Sequence, residues 1–100
     1  MKKALILAEG VYFSCKQIYL DIEDIRSIEK LPEYENEAAL SIIRTNQKSY
    51  DSSDHELNIL SAMSIAADLA TKENRLVVVS AKTLKEVPLL TGKEDHDLIK

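Results

Sequence analysis

The chain has 100 residues and a mass of 11.3 kDa, of which 45% are hydrophobic and 30% charged, with only two Gly and two Pro. This length predicts one compact domain, and the composition excludes a disordered tail, a collagen-like repeat, a disulfide scaffold and a multidomain enzyme. The net charge of −4, with no basic cluster larger than Lys2-Lys3, argues against direct binding to nucleic acid.

The first elements of the chain are two short apolar patterns around a glycine. Ala4–Ala8 is an apolar run, Gly10 follows it, and residues 11–16 alternate between apolar and polar side chains, which predicts an antiparallel hairpin. The apolar run is too short for a secretion signal, which needs about 7–15 such residues, or for a membrane span, which needs about 20. The single Cys15 cannot form an internal disulfide. We therefore expect a cytoplasmic protein without a membrane partner.

In the middle of the chain, two segments are each compatible with either a helix or a strand. From Asp21, apolar residues recur every three positions as far as Leu31, which predicts one or two helical turns that begin at an Asp21 cap and end at Pro32; the alternative is one strand that continues through Ile25. Residues 39–45 end in β-branched side chains and predict a strand followed by a turn at 46–47. The end signals of 32–46 favour a helix instead.

Residues 54–73 predict a helix about 30 Å long. Ser53 and Glu56 have the spacing of a capping box, in which each side chain accepts a hydrogen bond from the other residue's backbone N–H. Polar residues occupy only a narrow part of the circumference, so we expect this helix to be mostly buried. Its alanines permit close packing on a sheet.

After the helix, Asn74 has the character of a residue that ends a helix in the left-handed conformation. Residues 76–79 are apolar on both faces, which predicts a central strand, and residues 81–87 predict one helical turn before Pro88. The predicted fold is α+β: a small mixed or antiparallel sheet packed by one long helix. We assign it to one domain over 1–92, followed by a charged tail over 93–100.

Each of the two histidines is flanked by acids and is a candidate for metal chemistry, although for His96 a solvated charged tail explains the pattern without a metal. Asp51, Asp54 and His55 could ligate a divalent metal, which would make the protein a small metal-dependent hydrolase. Helix capping explains Asp54 and Glu56 without a metal. Since no phosphate loop, zinc-type Cys pair or serine nucleophile is present, the sequence predicts no cofactor, no metal, no catalytic residue and no enzymatic activity.

The acidic segment, residues 21–37, carries seven acids against Arg26 and Lys30. Such a segment can dock a basic protein partner, and an aromatic residue within it can serve as the anchor. The residues assigned to partner binding are Glu33, Tyr34, Glu35 and Glu37. The predicted function is a small cytoplasmic regulator or adaptor. One form of it is an acidic inhibitor of the phage-encoded type, which occupies the nucleic-acid-binding groove of its target.

The long helix offers a second candidate surface. One small sheet covers only part of a helix, so Leu57, Ile65 and Leu69 are candidates for packing against a second copy of the chain. This favours a homodimer and, as an alternative function, a homo-oligomeric structural subunit of a larger assembly.

Overall fold

The computed structural model describes residues 3–10, 17–32 and 40–88. The predicted strand over 11–16, Cys15 and the tail over 93–100 lie outside the described residues. The elements, in chain order, are β1 (Lys3–Glu9), β2 (Gln17–Asp21), a 3-10 turn (Ile22–Asp24), β3 (Ile25–Lys30), β4 (Ser41–Thr45), β5 (Ser49–Ser52), α1 (Glu56–Glu73) and β6 (Leu76–Ser80).

Six strands form two three-stranded sheets in the described part of the chain. Sheet A has the order β2-β1-β6, in which β1 runs antiparallel to β2 and parallel to β6. Sheet B has the order β3-β4-β5 and is antiparallel throughout. Helix α1 packs across β1 and β6 and reaches β3. The predicted α+β class, with small sheets against one helix, is confirmed.

The chain passes from sheet A to sheet B through one tight corner. The Asp21 side chain accepts a hydrogen bond from the backbone N–H of Glu23 (2.9 Å) and caps the 3-10 turn Ile22–Asp24. Strand β3 begins directly afterwards at Ile25. The helical turn capped by Asp21 is therefore confirmed as a single 3-10 turn, and the alternative of one strand that continues through Ile25 is wrong, because this turn separates β2 from β3. The predicted strand over 39–45 is confirmed over Ser41–Thr45, as β4, and residue 39 lies outside the described residues.

The core lies between helix α1 and the inner faces of the two sheets. Alternate residues of β1 point to the helix, as the period of two in a strand requires. The buried apolar side chains that pack together as the core cluster are Ala4, Ile6, Ala8, Leu20, Ile43, Ile59, Ala62, Ala66, Ala70, Val77, Val79 and Ala81. Small residues on α1 and β1 allow the helix to lie close to sheet A.

The buried face of α1 is narrower than the sequence predicts. Its buried side chains follow a single stripe along the helix, formed by Ile59, Ala62, Ala66 and Ala70. Sheet A covers only the side of the helix that faces it, which leaves Leu57 and Leu60 exposed. The helix ends at Asn74, which is left-handed at φ 52° as predicted.

The predicted capping box does not form. Helix α1 begins at Glu56, its N-cap residue is His55, and no side chain caps the first turn. The Ser53 hydroxyl instead lies 3.4 Å from a carboxylate oxygen of Glu9, at the end of β1. Tertiary contacts with β1 have replaced the local hydrogen bonds that the sequence pattern offers.

The prediction that 76–79 is a central strand is wrong, because β6 is at the edge of sheet A. The returning chain covers this edge: Ser80 N–H donates to the Lys85 carbonyl (3.0 Å) and Val87 N–H donates to the Val78 carbonyl (2.8 Å). The predicted helical turn over 81–87 is also wrong. Only a hydrogen-bonded turn at 81–83 forms, and the chain then runs antiparallel along β6.

Candidate functional site

The start of α1 is positioned by a buried carboxylate that joins three elements. Asp54 is only 6% exposed. Its Oδ2 atom accepts a hydrogen bond from the backbone N–H of Glu9 (2.8 Å) and lies 3.4 Å from the Ser52 hydroxyl. Glu9 ends β1 and Ser52 ends β5, so one side chain fixes the end of both strands relative to the helix.

Two buried serines complete this junction. The Ser41 hydroxyl donates to the Asp54 carbonyl (2.8 Å), and the Ser52 hydroxyl donates to the Glu9 carbonyl (2.9 Å). Within residues 3–10, 17–32 and 40–88, no buried side-chain nitrogen or oxygen lacks a hydrogen-bond partner. A buried polar network whose members are all satisfied is a structural element, and it rigidifies the fold. The junction therefore serves to hold the first turn of α1 in place.

A groove of about 250 Å³ lies beside this first turn. Its walls are the last residue of β3 and the first residues of the helix: Lys30, His55, Glu56, Leu57 and Asn58. Lys30 pairs with Ser41 across the sheet, and Ser41 is buried, so Lys30 lies on the face of sheet B that points to the helix. The groove brings two of the predicted candidates, His55 and Leu57, into one place.

The most exposed large apolar side chain of the described residues stands at this groove. Leu57 is 71% exposed, and Leu60, one turn further along the helix, is 44% exposed. Residues three apart are neighbours on a helix surface. The two leucines therefore form an apolar patch on the solvent side of α1, which we call the leucine patch.

The other predicted interface residues of the helix are already used by the core. Ile65 and Leu69 are half-buried and pack against the central cluster. Leu57 is the most exposed of the three. Leu60 is not among the interface residues predicted from the sequence, because the helix was expected to be mostly buried; its spacing of three from Leu57 was the signal that could have identified it.

The candidate metal ligands are not brought together as a metal site. The Asp54 carboxylate is engaged by Glu9 and Ser52, whereas His55 is exposed and faces the groove. In the stretches that the structure describes, no group of three or more His, Cys, Asp or Glu side chains could hold a metal ion. Asp51 lies in β5, whose backbone pairs it with Ile42 of β4.

The described half of the acidic segment is partly neutralised by neighbouring side chains. Asp21 forms an ion pair with Lys3 (3.4 Å), and Glu29 forms one with Arg44 (2.6 Å). The Arg44 guanidinium, chiefly through its hydrogen bond to Glu29, holds the pKa of that carboxyl below its ordinary value. The assigned partner-binding residues, Glu33, Tyr34, Glu35 and Glu37, all lie outside the described residues.

No helix of the described residues is both long enough and apolar enough to cross a membrane. Comparison of the chain with protein-family models, with curated protein sequences and with solved structures gives no significant match in any of the three.

Proposed function

We propose that the protein is a small, non-enzymatic regulator or adaptor that binds a protein partner through the surface at the start of α1. The observation that carries this proposal is the leucine patch, in which Leu57 is 71% exposed beside a groove. Exposed leucine costs free energy in water, and a contact that removes about 100 Å² of apolar surface from water is worth roughly 2.5 kcal/mol. An apolar anchor beside a groove is typical of protein interfaces.

The acidic segment supplies the second part of the proposed surface. Lys30 lines the groove, and Glu33 follows it by three residues, a chain length of at most about 10 Å. The Leu31 N–H donates to the Leu40 carbonyl (3.0 Å), which ties together the two ends of the connection that carries Glu33, Glu35 and Glu37. The proposal therefore assigns these acids to the same interface as the leucine patch.

This combination of charge and apolar surface specifies the chemistry of the partner. Leucines bury against apolar side chains, whereas carboxylates favour Lys and Arg and increase the rate of association with a basic surface. The proposed partner is therefore a protein segment with an apolar face flanked by basic residues, such as a basic amphipathic helix. A cytoplasmic location belongs to the same proposal, on the ground that the single Cys15 offers no internal disulfide.

The test uses a synthetic 18-residue peptide in which Leu and Lys are spaced as an amphipathic helix. We expect this peptide to shift the amide resonances of residues 56–61 in the labelled protein, and to bind at least about tenfold more weakly to Leu57→Ser, since an interface anchor contributes 1.4 kcal/mol or more. The charge reversal Glu33→Lys, Glu35→Lys and Glu37→Lys should weaken binding mainly at low salt.

Tyr19→Ser is the matched control, because Tyr19 is also exposed but lies on β2 of sheet A. It should leave the affinity unchanged. Equal binding of a Leu–Glu peptide, or resonance shifts that Leu57→Ser does not reduce, would rule out the proposed surface. If the free protein is a dimer that Leu57→Ser dissociates, the leucine patch is a self-association surface and the proposed partner is wrong.

A further inference from the structure

The chain after β6 folds back as a strap, residues 84–88, along the outer edge of that strand. Two backbone hydrogen bonds hold it, Ser80 N–H to the Lys85 carbonyl (3.0 Å) and Val87 N–H to the Val78 carbonyl (2.8 Å). They flank an antiparallel bridge between Val79 and Glu86. The strap is therefore a very short extra strand, and it pairs with nothing but β6 among the described backbone hydrogen bonds.

An exposed ion cluster fastens the strap to the end of the helix. Arg75 donates to both carboxylate oxygens of Glu86 (2.6 and 3.0 Å) and to Glu73 (2.6 Å). These side chains are between about one third and one half exposed. Ion pairs at such positions contribute little to stability. The cluster therefore orients the strap but adds little to the free energy that holds it on β6.

The turn that reverses the chain carries backbone strain. Leu84 adopts the left-handed conformation at φ 61°, which is unfavourable for a residue with a Cβ atom. Its N–H donates to the Ser80 carbonyl (2.8 Å), and the Ser80 hydroxyl accepts from the N–H of Lys82 and Thr83. An extended conformation of this turn would relieve the strain at Leu84.

The edge under the strap is strongly apolar. Val77, Val78 and Val79 are all buried, and an edge strand of this composition is prone to pair with another chain when it is uncovered. A strained, short connection between an edge and the segment that covers it favours exchange of that segment between identical chains. The occupant best matched to the uncovered edge is the same strap from a second copy, because it restores the two backbone hydrogen bonds to β6 and the pair of Arg75 with Glu86.

We propose that the strap, residues 84–88, exchanges between two copies of the protein to give a dimer in which each copy covers the β6 edge of the other. The turn over 81–84 extends, Leu84 leaves the left-handed conformation, and Arg75 of each copy pairs with Glu86 of the other. This dimer is independent of the leucine patch and of any partner bound there.

The decisive experiment mixes two full-length variants with opposite charge reversals. Arg75→Glu places two acids face to face within one chain, and Glu86→Arg places two arginines face to face in the other. Exchange in the mixture pairs each reversed residue with its complement. We expect native mass spectrometry at low salt to show a heterodimer with twice the mass of one chain. This heterodimer should be at least tenfold more abundant than either homodimer. The double variant Arg75→Glu with Glu86→Arg, which restores the pair within one chain, should behave like the wild type.

A cross-linking measurement keeps the proposal testable if a charge variant does not fold. In a Cys15→Ser background, Val79→Cys and Glu86→Cys are placed on separate chains and mixed under mild oxidation. Because residue 79 is buried and opposite residue 86, a disulfide between chains requires an exchanged strap. We expect at least tenfold more cross-linked dimer than in a mixture of Val79→Cys with Leu57→Cys. Equal yields in the two mixtures, or only monomers in the charge-reversal mixture, would show that the strap does not exchange.

Discussion

The backbone N–H of Glu9 donates a hydrogen bond to the carboxylate of Asp54 over 2.8 Å, between residues 45 positions apart in the chain. This bond joins the end of β1 to the start of α1. It also explains why His55, and not Ser53, is the N-cap of the helix: the residues before the helix are engaged with strands instead of with its first turn. The leucine patch and the groove take their positions from this junction.

Removal of the Asp54 carboxylate should destabilise the protein. Asp54→Ala leaves the Glu9 N–H without its acceptor in a partly buried place, which costs about 1–3 kcal/mol. Ser53→Ala is the matched control. If Ser53 were the helix cap, its loss would cost on the order of 1 kcal/mol, whereas the observed contacts predict a change within about 0.5 kcal/mol. Urea unfolding of both variants measures the difference, and a larger effect for Ser53→Ala would contradict the assigned roles.

The left-handed residue at the end of α1 predicts different effects for two substitutions. Asn74 has φ 52°, a conformation that Gly adopts without cost and that Ala adopts at a cost of about 1 kcal/mol. We expect Asn74→Ala to lower the free energy of unfolding by roughly that amount and Asn74→Gly to leave it nearly unchanged. Thermal melts of the two variants suffice, and equal melting temperatures would show that the conformation of this residue contributes nothing.

The close approach of α1 to sheet A depends on small side chains. Ala66 is fully buried in the middle of the helix stripe, so Ala66→Leu adds three carbon atoms to a packed interior and should cost about 1–3 kcal/mol or more. Ser64→Leu makes a comparable increase on the exposed side of the same helix and should change stability by less than about 0.5 kcal/mol. Equal effects in urea unfolding would mean that the interface is not closely packed.

The strap should make stability depend on pH through Glu86. The hydrogen bonds from Arg75 hold the pKa of this carboxyl below its ordinary value of 4.5. Because the pKa is lower in the folded chain than in the unfolded chain, the contribution is complete above the unfolded pKa and is lost as the pH falls through the folded pKa. The ion pair of Glu29 with Arg44 acts in the same direction.

Glu86→Gln isolates this contribution. Urea unfolding between about pH 7 and pH 3 should show a smaller loss of stability for Glu86→Gln than for the wild type, since the variant has no proton to take up at this position. Identical pH dependence in the two proteins would show that the Arg75–Glu86 pair does not contribute to stability.

Several elements could be predicted from the sequence because their signals are local. The helix over most of 54–73 follows from its apolar periodicity, and Asn74 ends it because its own side chain tolerates the left-handed conformation. The turn capped by Asp21 needs only one local hydrogen bond, which the Asp21 side chain accepts from the N–H of Glu23, two residues along the chain. The strand over 41–45 was indicated by its β-branched residues.

The errors occurred where another segment of the chain supplies the contact. Three consecutive buried valines predict a strand with a full strand on both sides, but β6 has β1 on one side and only the short strap on the other. The pattern Ser53-Asp54-His55-Glu56 predicts a capping box, but β1 and β5 compete for the same side chains and hold Asp54.

The sequence by itself determined the α+β class, the main helix and the residue that ends it, because periodicity and single-residue conformational preference act within a few positions along the chain. Only the tertiary structure decided that Leu57 and Leu60 face solvent beside Lys30, that Asp54 is buried at a junction, and that the β6 edge is covered by the strap. Each of these depends on which surface meets which, and buried area and hydrogen-bond satisfaction are properties of the assembled fold rather than of any single segment.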